Sequence, residues 1–309
     1  MTRPKDEDRL PEHVKRKLFF EAYQAADKRT PIDIPMFIQH LEDGNIIEAD
    51  RVVTECVDDL INCLRKVKEE ANVSISFFAD YFTWPRTPAT RTLSSNSSHH
   101  VSFNALKRMG DVFGVTMNEL VFKNDNAFPL ILPNKHVTWI NRFNLLLPKV
   151  KVAAANKLKE LFSQEPPSFV TAFDYEVLIA KRLVEYCESY AINIRDLGVA
   201  KYPVINRTFR LSLHNTAELV KFRGRLQAMI YYCGMTGCAL DYFMVPDYSQ
   251  FRGNIVTSKG ENVELDEVTR NVLGLMLRSQ NEEQVNHAIA YICAGNISGI
   301  VSFDPLSLQ

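Results

Sequence analysis

The sequence predicts a mainly α protein, on three observations. Apolar residues recur at three- and four-residue steps over most of the chain, the spacing of one helix face. Glycine and proline number 12 and 14 in 309 residues, too few for a turn-dense β-sandwich. Alternating β-branched runs are scarce, and only 255–265 and 298–303 suggest short strands.

The elements follow in order. A charged lead over 1–20 enters a helix over about 12–26. The break Arg29-Thr30-Pro31 separates it from a short helix near 36–41. The next helix runs over about 47–70, with Val52, Val53, Cys56, Leu60, Leu64 and Val67 on one face. A helix opening at Ser74 carries Phe78, Ala79 and Phe82 inward, and the Ser74 hydroxyl suits the N-cap. After the turn Thr83-Trp84-Pro85, a helix over 87–93 is expected, with Thr87 as its cap and Pro88 at its first position. Its outward residues are short hydroxyls and an arginine, with Arg86 just ahead. The polar run 94–100 is a loop. Ser102 caps a fourth helix with Phe103, Leu106, Met109, Val112 and Phe113 inward, and Gly114 suits the left-handed stop. Thr116 caps a fifth, with Met117, Leu120 and Val121.

Asparagine and proline over 123–135 read as a connector. A helical stretch over about 139–162 is broken or restarted at Pro148. A helix over about 174–190 follows, and helices over about 266–278 and 282–294 close the chain.

Composition narrows the function. Hydrophobic residues make up 46% and charged residues 24%, enough to bury a core. The charged N-terminus predicts no signal peptide, and no run approaches the roughly 18 apolar residues of a membrane span. A cytoplasmic protein without a membrane partner is expected. The six cysteines form no CxxC motif and sit in apolar helical patterns, which predicts buried thiols. The pair His99-His100 suits an exposed loop better than a metal site. No nucleophile–base pair or phosphate-cradling loop is present, so no catalytic residues, metal or cofactor are expected.

The order and spacing of the five helices over about 60–122 resemble the lambda-repressor-like (Cro/CI, XRE-type) helix-turn-helix family. The residues that carry the resemblance are Val73-Ser-Ile-Ser-Phe-Phe-Ala-Asp-Tyr-Phe82 and Ser102-Phe-Asn-Ala-Leu-Lys-Arg-Met-Gly-Asp-Val-Phe-Gly-Val-Thr-Met-Asn-Glu-Leu-Val-Phe122. Two positions depart from the family. Ile75 stands where a phosphate-binding glutamine is usual, and Thr83 where a turn glycine is usual. A weaker copy spans about 178–245. There 192–199 matches 73–80, 202–210 forms a recognition segment, and Gly234 answers Gly114.

The resemblance implies tandem five-helix modules with helical N- and C-terminal extensions. The corresponding segments are 1–50 (extension), 51–123 (module 1), 124–170 (connector with helix), 171–245 (module 2) and 246–309 (C-terminal region). It implies double-stranded DNA as partner. The contact residues would be Arg86, Thr87, Thr90 and Arg91 in module 1, and Lys201, Asn206, Arg207 and Arg210 in module 2. Arginine can bond guanine bidentately, and threonine offers a hydroxyl and a methyl.

Charge is distributed accordingly. The formal net charge is −1 overall, but +2 over 72–123, +4 over 190–245 and −4 over 246–309. Phosphate binding requires such local basic faces. Two modules in one chain would act as a built-in pair on unequal half-sites. The C-terminal helices, with Val272, Leu273, Leu275, Met276 and Leu277, serve either homodimerisation or ordinary core packing. The competing function is a protein-interaction scaffold that keeps the helical fold without DNA readout.

Overall fold

The computed structural model describes residues 10–94, 101–132, 134–163, 226–244, 251 and 253–278, with separate positions between 175 and 190. The protein is mainly helical. Its residues group into two compact units, each made of two stretches: Met1–Pro129 with Asp174–Met244, and Leu130–Phe173 with Val245–Gln309.

Unit 1 begins with α1 (Glu12–Ala26), α2 (Ile34–Glu42) and α3 (Ile46–Glu70). Then come α4 (Ile75–Tyr81), α5 (Arg86–Ser94), α6 (Phe103–Phe113) and α7 (Met117–Phe122). Side chains start these helices where the sequence suggests. Ser74, Ser102 and Thr116 each accept a hydrogen bond from the backbone N–H three residues on, satisfying a donor that the first turn leaves free. Gly114 ends α6 at φ +70°, a backbone conformation that costs glycine little.

α1 belongs to this core. Phe19 of α1 is fully buried among Phe77, Phe78, Tyr81 and Phe82, with ring centroids 4.9–6.2 Å away. Such aromatic pairs contribute about 0.5–1.5 kcal/mol each beyond area burial. A buried ion pair ties the end of α1 to α7. Arg29 grips the Asp27 carboxylate through Nε (2.9 Å) and Nη2 (3.0 Å), while its Nη1 donates to the Leu120 carbonyl at 2.8 Å. Burial alone would raise the Asp27 carboxyl, but hydrogen bonds from Arg29 and Tyr23 hold it well below the usual carboxylate range.

The second stretch of unit 1 is helical at its described positions from 175 to 187, then forms α10 (Leu226–Thr236) and α11 (Leu240–Met244). α10 packs on α2 and α3, and α11 packs on α7. Gly234 lies inside α10, where an added Cβ would come within 2.4 Å of Leu41 Cδ1 and 2.7 Å of Phe37 Cε1. Its role is close helix approach. The left-handed stop is Gly237, at φ +66°. Gly114-Val115-Thr116 and Gly234-Met235-Thr236 look alike as sequence, which is why the earlier glycine suggests itself.

Unit 2 contains a parallel pair, β1 (Leu130–Leu132) with β2 (Ile255–Thr257), in the register Leu130–Ile255, Ile131–Val256 and Leu132–Thr257. It also contains α8 (Asn134–Asn144), α9 (Pro148–Ser163) and α12 (Glu267–Arg278). Pro148 starts α9, where its missing N–H costs nothing. Asp266 caps α12 through Thr269 N–H at 2.7 Å and also pairs with Lys151 of α9. α12 packs on α8 and α9 with Val272 buried, which is core packing at that position. The side chains of Leu273, Leu275, Met276 and Leu277, and the segments 282–294 and 298–303, lie outside the described residues.

Candidate nucleic-acid interface

α4 and α5 are joined by a tight turn whose geometry fixes the direction of α5. The N–H of Trp84 reaches back to the Ala79 carbonyl at 2.8 Å, and that of Thr83 to the Asp80 carbonyl at 3.2 Å. This is the closure that follows a helix when the residue past its cap is left-handed. Here that residue is Thr83, at φ +54°. Its hydroxyl donates to the Phe82 carbonyl at 2.7 Å. Trp84, which follows Thr83, is buried, at 2% exposed.

α5 starts at Arg86, one residue before the position expected for the cap, so Thr87 stands in the first turn instead of capping it. The Ala89 N–H already bonds the Pro85 carbonyl at 3.0 Å. Pro88 remains within the first turn, where backbone N–H groups lack an intrahelical partner in any case. At the other end, Arg65 of α3 donates through Nη2 to the Thr92 carbonyl at 2.7 Å, anchoring the last turn.

The two faces of α5 differ sharply. Ala89 and Thr92 are 0% exposed and Leu93 is buried, pinning one face to α3 and α4. Arg86, Thr87, Thr90, Arg91 and Ser94 are exposed. Their spacing of one and four residues places them along one side of the helix. All four candidate contact residues of module 1 therefore share an outward face. Lys201, Asn206, Arg207 and Arg210 lie outside the described residues.

Electrostatics adds a residue that the sequence did not point to. Asp80, at the end of α4, accepts hydrogen bonds from Arg86 Nε (2.8 Å) and Nη2. The Arg86 hydrogen bond holds the Asp80 carboxyl below its ordinary value. The pair bridges a turn at a six-residue separation, so helical spacing gives no warning of it. The Arg86 side chain is 67% exposed, and an exposed pair of this kind contributes only about 0–1 kcal/mol. Its guanidinium is accessible to an incoming group. At the start of α4, Ile75 is half-buried and Ser76 is exposed.

Comparison of the chain with protein-family models, with curated proteins and with solved structures gave no match. Among the described residues no helix is long and apolar enough to cross a membrane.

Proposed function

We propose that this protein is a sequence-specific DNA-binding transcription regulator of the lambda-repressor-like helix-turn-helix type. In this reading α4 and α5 are the helix-turn-helix, and α5 enters the major groove. The observation that carries it is the division of α5 into an anchored apolar face and an exposed face of Arg86, Thr87, Thr90 and Arg91. A groove-reading helix requires both: rigid seating on its own domain, and donors of the right length on the free side. Arginine and threonine supply bidentate hydrogen bonds and methyl contacts to base edges. The second set, Lys201, Asn206, Arg207 and Arg210, would read an unequal half-site in the same way.

Enrichment of duplexes from a genomic fragment library at moderate salt tests this reading. Enriched sequences should bind with affinity that falls steeply as salt rises. Arg91→Ala should weaken binding and, if Arg91 lies on phosphate, reduce the salt slope by about 1. Failure to enrich any sequence would end the proposal.

The Asp80–Arg86 pair and Ile75 favour a second reading, a protein-interaction scaffold. Both lessen the positive charge and polarity that a phosphate would meet at the start of the two helices. Retention of function after charge reversal at Arg91 would decide for the scaffold.

A further inference from the structure

The contact between α7 and α11 is built from matched positions. Gly114 and Gly237 are both left-handed, and each lies three residues before the first residue of a short helix, Met117 in α7 and Leu240 in α11. In that register Asn118 and Asp241 are equivalent, each the second residue of its helix. Each serves the other helix. Asp241 Oδ1 and Oδ2 accept from the N–H groups of Met117 and Asn118, both at 2.9 Å. Asn118 Oδ1 accepts from the Leu240 N–H, also at 2.9 Å. Reciprocal use of equivalent residues marks a two-fold, isologous interface.

A flanking contact joins the same two halves: the Tyr231 hydroxyl of α10 donates to Asp50 of α3. Within each half a helical residue earlier in the chain holds the residues near its own pair. Cys56 Sγ donates to the Val121 carbonyl at 3.4 Å, and the Tyr186 hydroxyl to the Thr236 carbonyl at 3.2 Å.

We infer that unit 1 is an internal pseudo-dimer, its 1–129 and 174–244 halves paired about a local two-fold axis at Asn118 and Asp241, so that one chain alone engages an imperfect inverted repeat in duplex DNA. The inference rests on the DNA-binding reading of α5. Two halves in opposed sense match the dyad of a duplex, so their half-sites are inverted and not direct repeats. The halves differ in sequence, so the repeat is imperfect. α11 already occupies the face of α7 that a second chain would need for the same pairing.

The test uses the full chain and random duplexes at moderate salt, followed by mass measurement of the complex on the selected duplex. The expected site has two inverted half-sites centred about 10 bp apart, bound by one chain. A direct repeat, a lone half-site, or two chains on one repeat overturns the inference and leaves DNA binding standing. No enrichment of any duplex overturns DNA binding, and the inference falls with it. Asp241→Ala should lower affinity for the full repeat by about tenfold while changing affinity for a duplex with one half-site by less than about twofold, because it removes pairing and not reading. Asp241→Asn, which keeps one acceptor, is the variant to use if alanine unfolds the protein, with a loss of about threefold on the full repeat alone. Equal losses on both duplexes would overturn the pairing role.

Discussion

Thr83 holds the turn between α4 and α5 in a conformation that a β-branched residue resists. The left-handed region costs roughly 1–2 kcal/mol for such a side chain. Glycine would remove that strain but lose about 0.5–1 kcal/mol to greater freedom in the unfolded chain. The strain is the larger effect. Thr83→Gly should therefore stabilise the protein by about 0.5–1 kcal/mol, read as a higher urea midpoint with unchanged slope. A lower midpoint would mean that the bond from its hydroxyl to the Phe82 carbonyl outweighs the strain.

Asp241 makes a prediction of a different sign from most carboxylates. Burial pushes its carboxyl up to about 6, and Asp125 adds to this, against the N–H groups of Met117 and Asn118 and the Lys107 charge. Between the ordinary value of 3.8 and about 6, the folded protein holds a proton that the unfolded chain has released. Stability from this group is therefore complete below the lower value and is lost as pH rises to the upper one, by on the order of 3 kcal/mol. Asp241→Asn should abolish that component. Denaturation midpoints from pH 4 to pH 7 measure it, and parallel profiles for the two proteins would refute it.

At the scale of elements, the pair that closes the helix turn tunes the exposed face of α5. Asp80 places a negative charge beside Arg86, at the start of the exposed face of α5. Removing it by Asp80→Ala frees the guanidinium and deletes a repulsive charge. If α5 reads DNA as proposed, duplex affinity should rise about fivefold, the equivalent of about 1 kcal/mol, and the gain should shrink as salt increases. Weaker binding by this variant would show that Asp80 positions Arg86 instead of competing for it. The helices themselves were legible in the sequence. The ends of α1, α3 and α6, the caps Ser74, Ser102 and Thr116, and the stop at Gly114 all follow from spacing and local hydrogen bonding. Where the reading of α5 missed, it placed the first helical residue at Pro88, two residues after Arg86. A proline is tolerated at several positions there, so Pro88 does not fix which residue comes first.

At the scale of the molecule, the contacts gather two units, each made of two stretches far apart in the chain. β1 illustrates the limit. Three residues inside an apparent connector become a strand because residues 255–257 pair with them in parallel, and no local pattern announces a partner so remote. The α7–α11 contact is similar. Asn118 and Asp241 look like ordinary polar residues of short helices until each is found capping the other helix in a buried interface.

By itself the sequence determined the helical class, most helix boundaries and the outward hydroxyl and arginine face of α5. Each of these depends on neighbours within a few residues, through apolar spacing, capping and turn chemistry. Only the tertiary structure decided that α1 joins the core, that Gly237 and not Gly234 ends α10, and that α7 pairs with α11. Those outcomes depend on which distant apolar faces fit together and which buried polar groups find partners, and such complementarity is not carried by any local stretch of chain.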